Sequence, residues 1–422
     1  MCAHTHQKVH VPSGLRTLTF SRMKQLKSYI SQIFKVYGKE FRLIFHDPGV
    51  ILFFAFLPLA YPVIYSLIYN PEVVRNVKTV VVDHDRSASS RELVRKFDAT
   101  QEARVTGYAA DMSEAKRAMH SHDCYAILEI PEGFGKKIGR GEQAQAVLYS
   151  DMSLLLRYRG LVMASTNVAM DMGARIREEK INATIPAVSG YLHGDPLPII
   201  GVSMGNTQSG FDSFIMPAVL VLILHQCIVL AVGMMGGAMH ETPHMVGYNP
   251  WNESSSVICT LIGKTLAYYM ILVVPVIFLI HYVPMIFSFP MAGDILEIMA
   301  FLLPMSLACI FLGFCIQALI RERETIFLVW VVSSVFFLFL SGITWPRYAM
   351  HGPWLWLSNI LPATWGVEGF VKINTNGAVI SQVGDCYTML WILAGVYFLL
   401  ATTAHKFAIR PETTRLRKAY GF

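Results

Sequence analysis

Residues that could do chemistry are few in this chain of 422 residues, and most of them fail on spacing. Ile262-Gly263-Lys264-Thr265 looks like the end of a phosphate-cradling loop, whose amides, lysine and hydroxyl would hold a nucleotide and its metal. That loop needs a glycine five positions before Gly263, where Ile258 stands, and a soluble helix after it, where an apolar run follows. Gly133-Phe134-Gly135 is a lone glycine pair in a turn. The seven cysteines are scattered, with no CxxC pair and no metal-type spacing. No nucleophile and base stand together as a hydrolase would need. Asn182-Ala183-Thr184 and Asn252-Glu253-Ser254 are glycosylation sequons in form only. The expectation is a chain with no catalytic centre, no metal and no cofactor of its own.

What remains is polar chemistry inside apolar surroundings. His225 and Gln226 sit near the middle of a long apolar run, where a polar group costs free energy and faces an interior or a path. Two readings stay open for them: hydrogen bonding between helices, or lining a substrate path. Arg321-Glu322-Arg323-Glu324 is a tight charge cluster between two apolar runs. It reads either as a solvated turn that fixes topology or as a docking point for a partner.

The elements that must position these residues are membrane spans. A helix needs about 20 apolar residues to cross the hydrocarbon core, and Val50–Tyr69 has that length without a charge. Comparable runs follow at Phe214–Gly236, Leu266–Val283, Ile298–Ile320, Ile326–Trp345 and Thr388–Ala404, which predicts six transmembrane helices. Only 15% of residues are charged, against ~25% in soluble domains. Mean hydropathy is +0.44, an average over spans and one unlike insert. That insert, residues 70–212, is close to neutral and rich in charge of both signs.

Net charge is +6, and its location decides its meaning. The excess lies in the N-terminal 49 residues and in a basic tail from residue 409, beside spans. That excludes a nucleic-acid-binding face and fits juxtamembrane cations. Arg22, Lys24, Lys27, Lys35, Lys39 and Arg42 place the N-terminus in the cytoplasm. Lys406, Arg410, Arg415, Arg417 and Lys418 do the same for the tail, and Arg321 and Arg323 for the loop between. The loop His281–Asp294 has no lysine or arginine and falls outside. The segment Gly237–Gly263 is assigned to the cytoplasm with little positive charge of its own. Glu297 is placed at the outer boundary, solvated.

Leu26, Tyr29, Ile30, Ile33, Phe34, Tyr37, Phe41, Ile44 and Phe45 recur at helical spacing, with Lys27, Ser31, Lys35, Lys39 and Arg42 opposite. This predicts an amphipathic helix in the headgroup layer, broken at His46-Asp47-Pro48-Gly49. In the insert, strand patterns at Val77–Val82, Ala103–Tyr108, Tyr125–Ile130 and Ala144–Tyr149 alternate with helical stretches near Arg91–Phe97, Ser113–His120 and Glu132–Ile138. A longer helix follows over about Ser153–Lys180. Strands alternating with helices predict a compact α/β domain outside the membrane. The segment 345–370 holds four of the seven tryptophans, with Pro346, Pro353 and Pro362. It predicts short re-entrant helices whose backbone is satisfied by protein or water.

In order along the chain, several stretches carry a resemblance. They are Gly38-Lys39-Glu40-Phe41-Arg42-Leu43-Ile44-Phe45, Val80-Val81-Val82-Asp83 with Ser87 to Ser90, and Ala126-Ile127-Leu128-Glu129-Ile130-Pro131-Glu132-Gly133-Phe134. Tyr149-Ser150-Asp151, Phe214-Ile215-Met216-Pro217, Leu340-Ser341-Gly342-Ile343-Thr344-Trp345-Pro346 and Leu361-Pro362-Ala363-Thr364-Trp365 follow. With them the chain resembles the permease subunit of type-2 ABC exporters, in the branch with a large extracytoplasmic domain after the first span.

The resemblance implies an α-helical polytopic protein of the bacterial inner membrane, with an inserted α/β domain and both termini cytoplasmic. It implies a dimer with a second copy or a paralogue, and a separate cytoplasmic ATPase that binds the ATP. A periplasmic adaptor protein is a further implied partner, and membrane lipid surrounds the spans. The family's ATPase contact follows the second span, which points to Glu241, here without adjacent arginines. In this reading coupling runs through Gly237–Gly263, the amphipathic helix and the charge cluster Arg321, Glu322, Arg323 and Glu324. A non-transporting receptor or assembly scaffold, binding a partner through the insert, is the alternative reading.

Overall fold

A computed structural model describes residues 13–69, 74–184, 205–206, 210–241 and 256–419. Residues 242–255, with the Asn252 sequon, lie outside the described residues. The chain divides into two compact units, Met1–Asn70 with Ser203–Phe422, and Pro71–Val202.

The second unit is the α/β domain that the alternating pattern predicts. Its sheet has the order β2-β1-β3-β4, built from β1 (Val77–Asp83), β2 (Ala103–Tyr108), β3 (Ala126–Ile130) and β4 (Val147–Ser150). The central β1 runs parallel to β2 and β3, and β4 closes the edge antiparallel to β3. Side chains alternate between faces along a strand, and both faces are covered. Val77, Val81, Ala126, Leu128 and Ile130 pack with Leu93, Phe97, Phe134, Leu161, Val168 and Met172. These come from α3 (Ala88–Asp98), α5 (Phe134–Arg140) and the long α6 (Leu155–Thr184). Val82 and Ile127 face the other way, onto Ala115 of α4 (Met112–His120).

Carboxylates tie these layers together. Asp83 accepts from the amides of Asp85 and Arg86 at 3.0 and 2.9 Å and from the Ser90 hydroxyl at 2.7 Å. Asp85 accepts from the amide of Gly135 at 2.9 Å, and a Cβ at Gly135 would lie 2.6 Å from Ser87 Oγ. The Val80–Asp83, Ser87–Ser90 and Gly133–Phe134 stretches are thus one joint between β1, α3 and α5. Glu92 of α3 pairs with Arg175 of α6, and Lys96 with Asp171.

In the first unit, α1 (Ser13–His46) leads into α2 (Pro48–Tyr69). Asp47 caps α2 by accepting from the amides of Gly49 and Val50 at 3.1 and 3.2 Å, which is why the chain breaks there. α7 (Phe211–Glu241) is the central helix: 89% of its apolar window is buried, against 22% for α2. Against it pack α8 (Val257–Phe287), α9 (Ile295–Gln317) and α10 (Thr325–Leu340), and α13 (Ile380–Ile409) packs on α9. The basic helix α14 (Arg410–Ala419) follows.

Among the described residues, five helices are long and apolar enough to cross a membrane, not six. The expected fifth span, Ile326–Trp345, ends at Leu340, leaving 16 residues, or ~24 Å of helix against a ~30 Å core. Gly342 at φ +89° turns the chain away, a conformation that L side chains resist. The tryptophan-rich segment then forms a helical hairpin of α11 (Gly352–Ile360) and α12 (Pro362–Asn376). The Trp365 indole donates to Asn359 O at 2.9 Å and Trp345 to Ala349 O at 3.1 Å. The third span starts earlier than Leu266, at Val257, so Lys264 is inside a helix rather than beside one. Glu297 is not simply solvated, because it accepts from the Ile380 amide at 2.9 Å.

The inserted domain has a pH signature. Hydrogen bonds from Ser87 and from Gly135 hold the Asp85 carboxyl below its ordinary value, Arg175 does the same for Glu92, and Lys96 for Asp171. A depressed carboxylate adds stability that is present above its unfolded value and lost as pH falls through its folded one. Residues 74–184 expressed alone should therefore unfold cooperatively near neutral pH. Their denaturation midpoint should fall steadily below about pH 4, and a midpoint flat from neutral to that acid range would refute the assignment.

Candidate functional site

The buried face of α1 coincides only in part with its apolar stripe. Leu26, Ile30, Phe34 and Phe45 are exposed, while Val36, Glu40 and Ile44, spaced four apart, are buried. That buried stripe packs on α8, and the approach is close: a Cβ at Gly263 would lie 2.8 Å from Ile33 O and 2.9 Å from Val36 Cβ. Beside it Lys264 Nζ stands 3.2 Å from Glu40 Oε1, with both residues 1% exposed. The Tyr268 hydroxyl donates to the same Glu40 oxygen at 3.2 Å. The stretch that looks like a phosphate loop is thus a helix crossing with a buried ion pair. Its sequence signal is a charge on each partner at a buried helical position, Glu40 in step with Val36 and Ile44, and Lys264 within an apolar run.

Aromatic rings carry the contact onward. Tyr268 meets Phe54 of α2 and Phe314 of α9, each at 5.8 Å between ring centres, and Phe314 meets His405 of α13 at 5.6 Å. Five helices therefore touch through one polar group and its ring neighbours.

A second cluster lies at the start of α2. Asp47 is 3% exposed and binds the guanidinium of Arg323 through both oxygens. The amide of Arg323 donates to Glu241 Oε1 at 2.7 Å, and its Nε lies 3.6 Å from Glu241 Oε2. Gly237 permits this, since a Cβ there would lie 2.7 Å from Arg323 N. The structure brings Glu241 and Arg323 together and adds Asp47, which sequence reasoning read only as a helix breaker. Arg321, Glu322 and Glu324 are exposed on the same turn.

His225 and Gln226 lie midway along α7. His225 is fully buried and meets Phe337 of α10 edge-on at 4.7 Å, and no hydrogen-bond partner reaches either ring nitrogen among the described residues. Gln226 is 9% exposed. At the other end of α7, Arg347 pairs with Glu368, donates to Asn359 Oδ1 at 2.6 Å and lies 4.1 Å over the Trp365 ring. Lys372 reaches Glu368 at 2.8 Å. These charges edge a cavity of about 430 Å³, whose other walls include Phe214, Ile343, Tyr348 and Val371.

The model of the family described as ABC-2 family transporter protein matches residues 48–403. The chain belongs to that family: it is a multi-pass membrane component of an ABC transporter. Among curated proteins none matches it.

The buried pair makes a double-substitution test possible. Removing one member of a buried ion pair typically costs ~3–5 kcal/mol, whereas an apolar replacement of both is often neutral. Glu40→Ala or Lys264→Ala should each destabilise the purified chain by about that amount, read by unfolding in detergent. Glu40→Leu combined with Lys264→Met should recover most of the loss. Single variants no worse than the double would mean that the pair is not held dry.

Proposed function

We propose that this chain is the permease subunit of an ATP-driven exporter, working as a dimer with a second copy or a paralogue. ATP is bound and hydrolysed on a separate cytoplasmic ATPase, and this chain supplies the path. In this reading α1, the Arg321–Glu324 turn and α14 lie on the cytoplasmic side of the bacterial inner membrane, where their cations belong. The α/β domain lies on the far side, where a periplasmic adaptor would meet it.

The observation that carries the proposal is the Asp47–Arg323–Glu241 cluster. It joins the start of α2, the end of α7 and the turn before α10 through charge-assisted bonds, which are about twice as strong as neutral ones. A partner pressing on the exposed residues of that turn would act on three helices at once. Mechanical work at one end of α7 is thereby carried to His225 and, further along, to the Arg347–Glu368 end. The dimer has its own support in α10, whose exposed residues include Leu328, Val332, Val335, Phe336 and Phe339. A helix too short to span by itself is better covered by a second protomer than by lipid along its whole length.

Glu241 tests the coupling. Glu241→Ala loses the bond to the Arg323 amide and the contact with its guanidinium, at a cost of ~1.5–3 kcal/mol, and should leave the chain folded and in the membrane. Transport and substrate-stimulated ATP hydrolysis in vesicles with the partner ATPase should fall several-fold. Glu241→Gln keeps the acceptor and should restore much of the activity if the carboxylate positions the turn, but not if its charge touches the ATPase. Unimpaired transport by the alanine variant would take Glu241 out of the coupling path.

A second test addresses the interior. His225→Phe keeps the ring packed on Phe337 while removing both nitrogens, so ATPase binding should be unchanged while substrate preference shifts. Identical transport of every substrate tried would assign His225 to packing alone.

A further inference from the structure

A cavity in the α/β domain has a volume of about 650 Å³, within the ~300–1,000 Å³ of small-molecule sites. It follows α6 from Ser165 to Lys180. At ~1.5 Å per residue that makes a groove roughly 22 Å long. A groove of that length has room for one extended hydrocarbon chain.

The lining agrees with that shape. Its floor is Phe97, Leu128, Phe134, Val168 and Met172, closed at the sides by Ile138, Leu148 and Ile176. The Ser165 hydroxyl in the wall already donates within its own helix, to Val162 O at 3.0 Å, so it makes no demand for a polar ligand group. Charge is gathered at one end. Arg177 and Lys180, three residues apart on α6, edge the groove there, and Lys180 Nζ lies 3.4 Å from Gly139 O. Among the described lining residues Glu142 is the one acidic side chain, and it lies 3.9 Å from Arg140.

We propose that the inserted domain is itself a ligand-binding module whose groove along α6 takes a single-chain amphiphile with a carboxylate head. The tail lies on Phe97, Phe134 and Met172, and the head sits between Arg177 and Lys180. Burial of the tail supplies binding, and the two cations set its direction along the groove. The inference rests on the groove alone and stands or falls apart from the transport reading.

The test uses the full-length chain, purified in detergent and irradiated with palmitic acid carrying a diazirine, with the labelled peptides mapped by mass spectrometry. Label should fall on the segments 134–148 and 165–177. Ala169→Trp fills the groove from an exposed wall position, so folding is retained, and it should lower that label at least about tenfold. Photoreactive palmityl alcohol should label the groove more weakly than the acid. Arg177→Glu with Lys180→Glu should bring the acid down to the level of the alcohol. Label confined to the spanning helices, groove label indifferent to Ala169→Trp, or equal labelling by acid and alcohol in the unaltered chain would each overturn the proposal.

Discussion

A charged group taken out of water costs several kcal/mol unless a partner of opposite sign and further hydrogen bonds meet it. The membrane unit accepts that cost at Glu40 and Lys264, and much of its assembly follows from it. Neither residue can be buried alone, so α1 must lie against α8 in one register, with Val36 and Ile44 flanking the pair and Gly263 allowing the backbones to meet. The Tyr268 hydroxyl supplies the extra donor to Glu40, and its ring then sets the contacts with α2 and α9. An apolar pair would hold as well or better. What the charges add is register, because a slip of one helical turn would leave two uncompensated ions in an apolar interface.

The same logic governs the Asp47 cluster, with one difference. Asp47 is buried, but Arg323 and Glu241 are partly exposed, so this joint lies at the border between protein interior and solvent. Asp47 serves two structures at once, the first amides of α2 and the guanidinium of Arg323. Helix start and tertiary tie are therefore one interaction. Close-approach glycines recur at both joints, Gly263 at the first and Gly237 at the second, because short polar contacts between backbones leave no room for a Cβ.

Much of this was legible in the sequence. Val77, Thr79 and Val81 against Val80 and Val82 announce a strand covered on both faces, and the helices between strands announce parallel crossovers. Span positions follow from length and apolarity alone, and family membership from motif order. What could not be read is pairing across distance. Lys264 looked like a loop residue because hydropathy has no knowledge of Glu40, more than two hundred positions earlier. Glu241 and Arg323 each read as candidate coupling residues on their own, since nothing local tells that they also bond each other. The early end of α10 was hidden for another reason: Ser341-Gly342-Ile343 keeps the run apolar, and only the positive φ at Gly342 stops the helix.

These features converge on α7. It is the most buried of the candidate spans, and it packs against α2, α8, α9, α10 and α12. One end is held by Glu241 and Arg323, and the other borders the cavity edged by Arg347, Glu368 and Lys372. Between them the helix is almost wholly apolar apart from His225 and Gln226. Packed helices transmit displacement because their interiors are as dense as crystals and do not absorb it by compression. A shift imposed at the Glu241 end is therefore passed along α7 as a rigid body, to His225 on Phe337 and to the Arg347 cavity, unless the helix bends. Pro217 is the one proline inside it, and by removing a backbone bond it marks where such a bend costs least. It lies between His225 and the Arg347 end, so the middle of α7 is tied more firmly to the Glu241 joint than to the distant cavity.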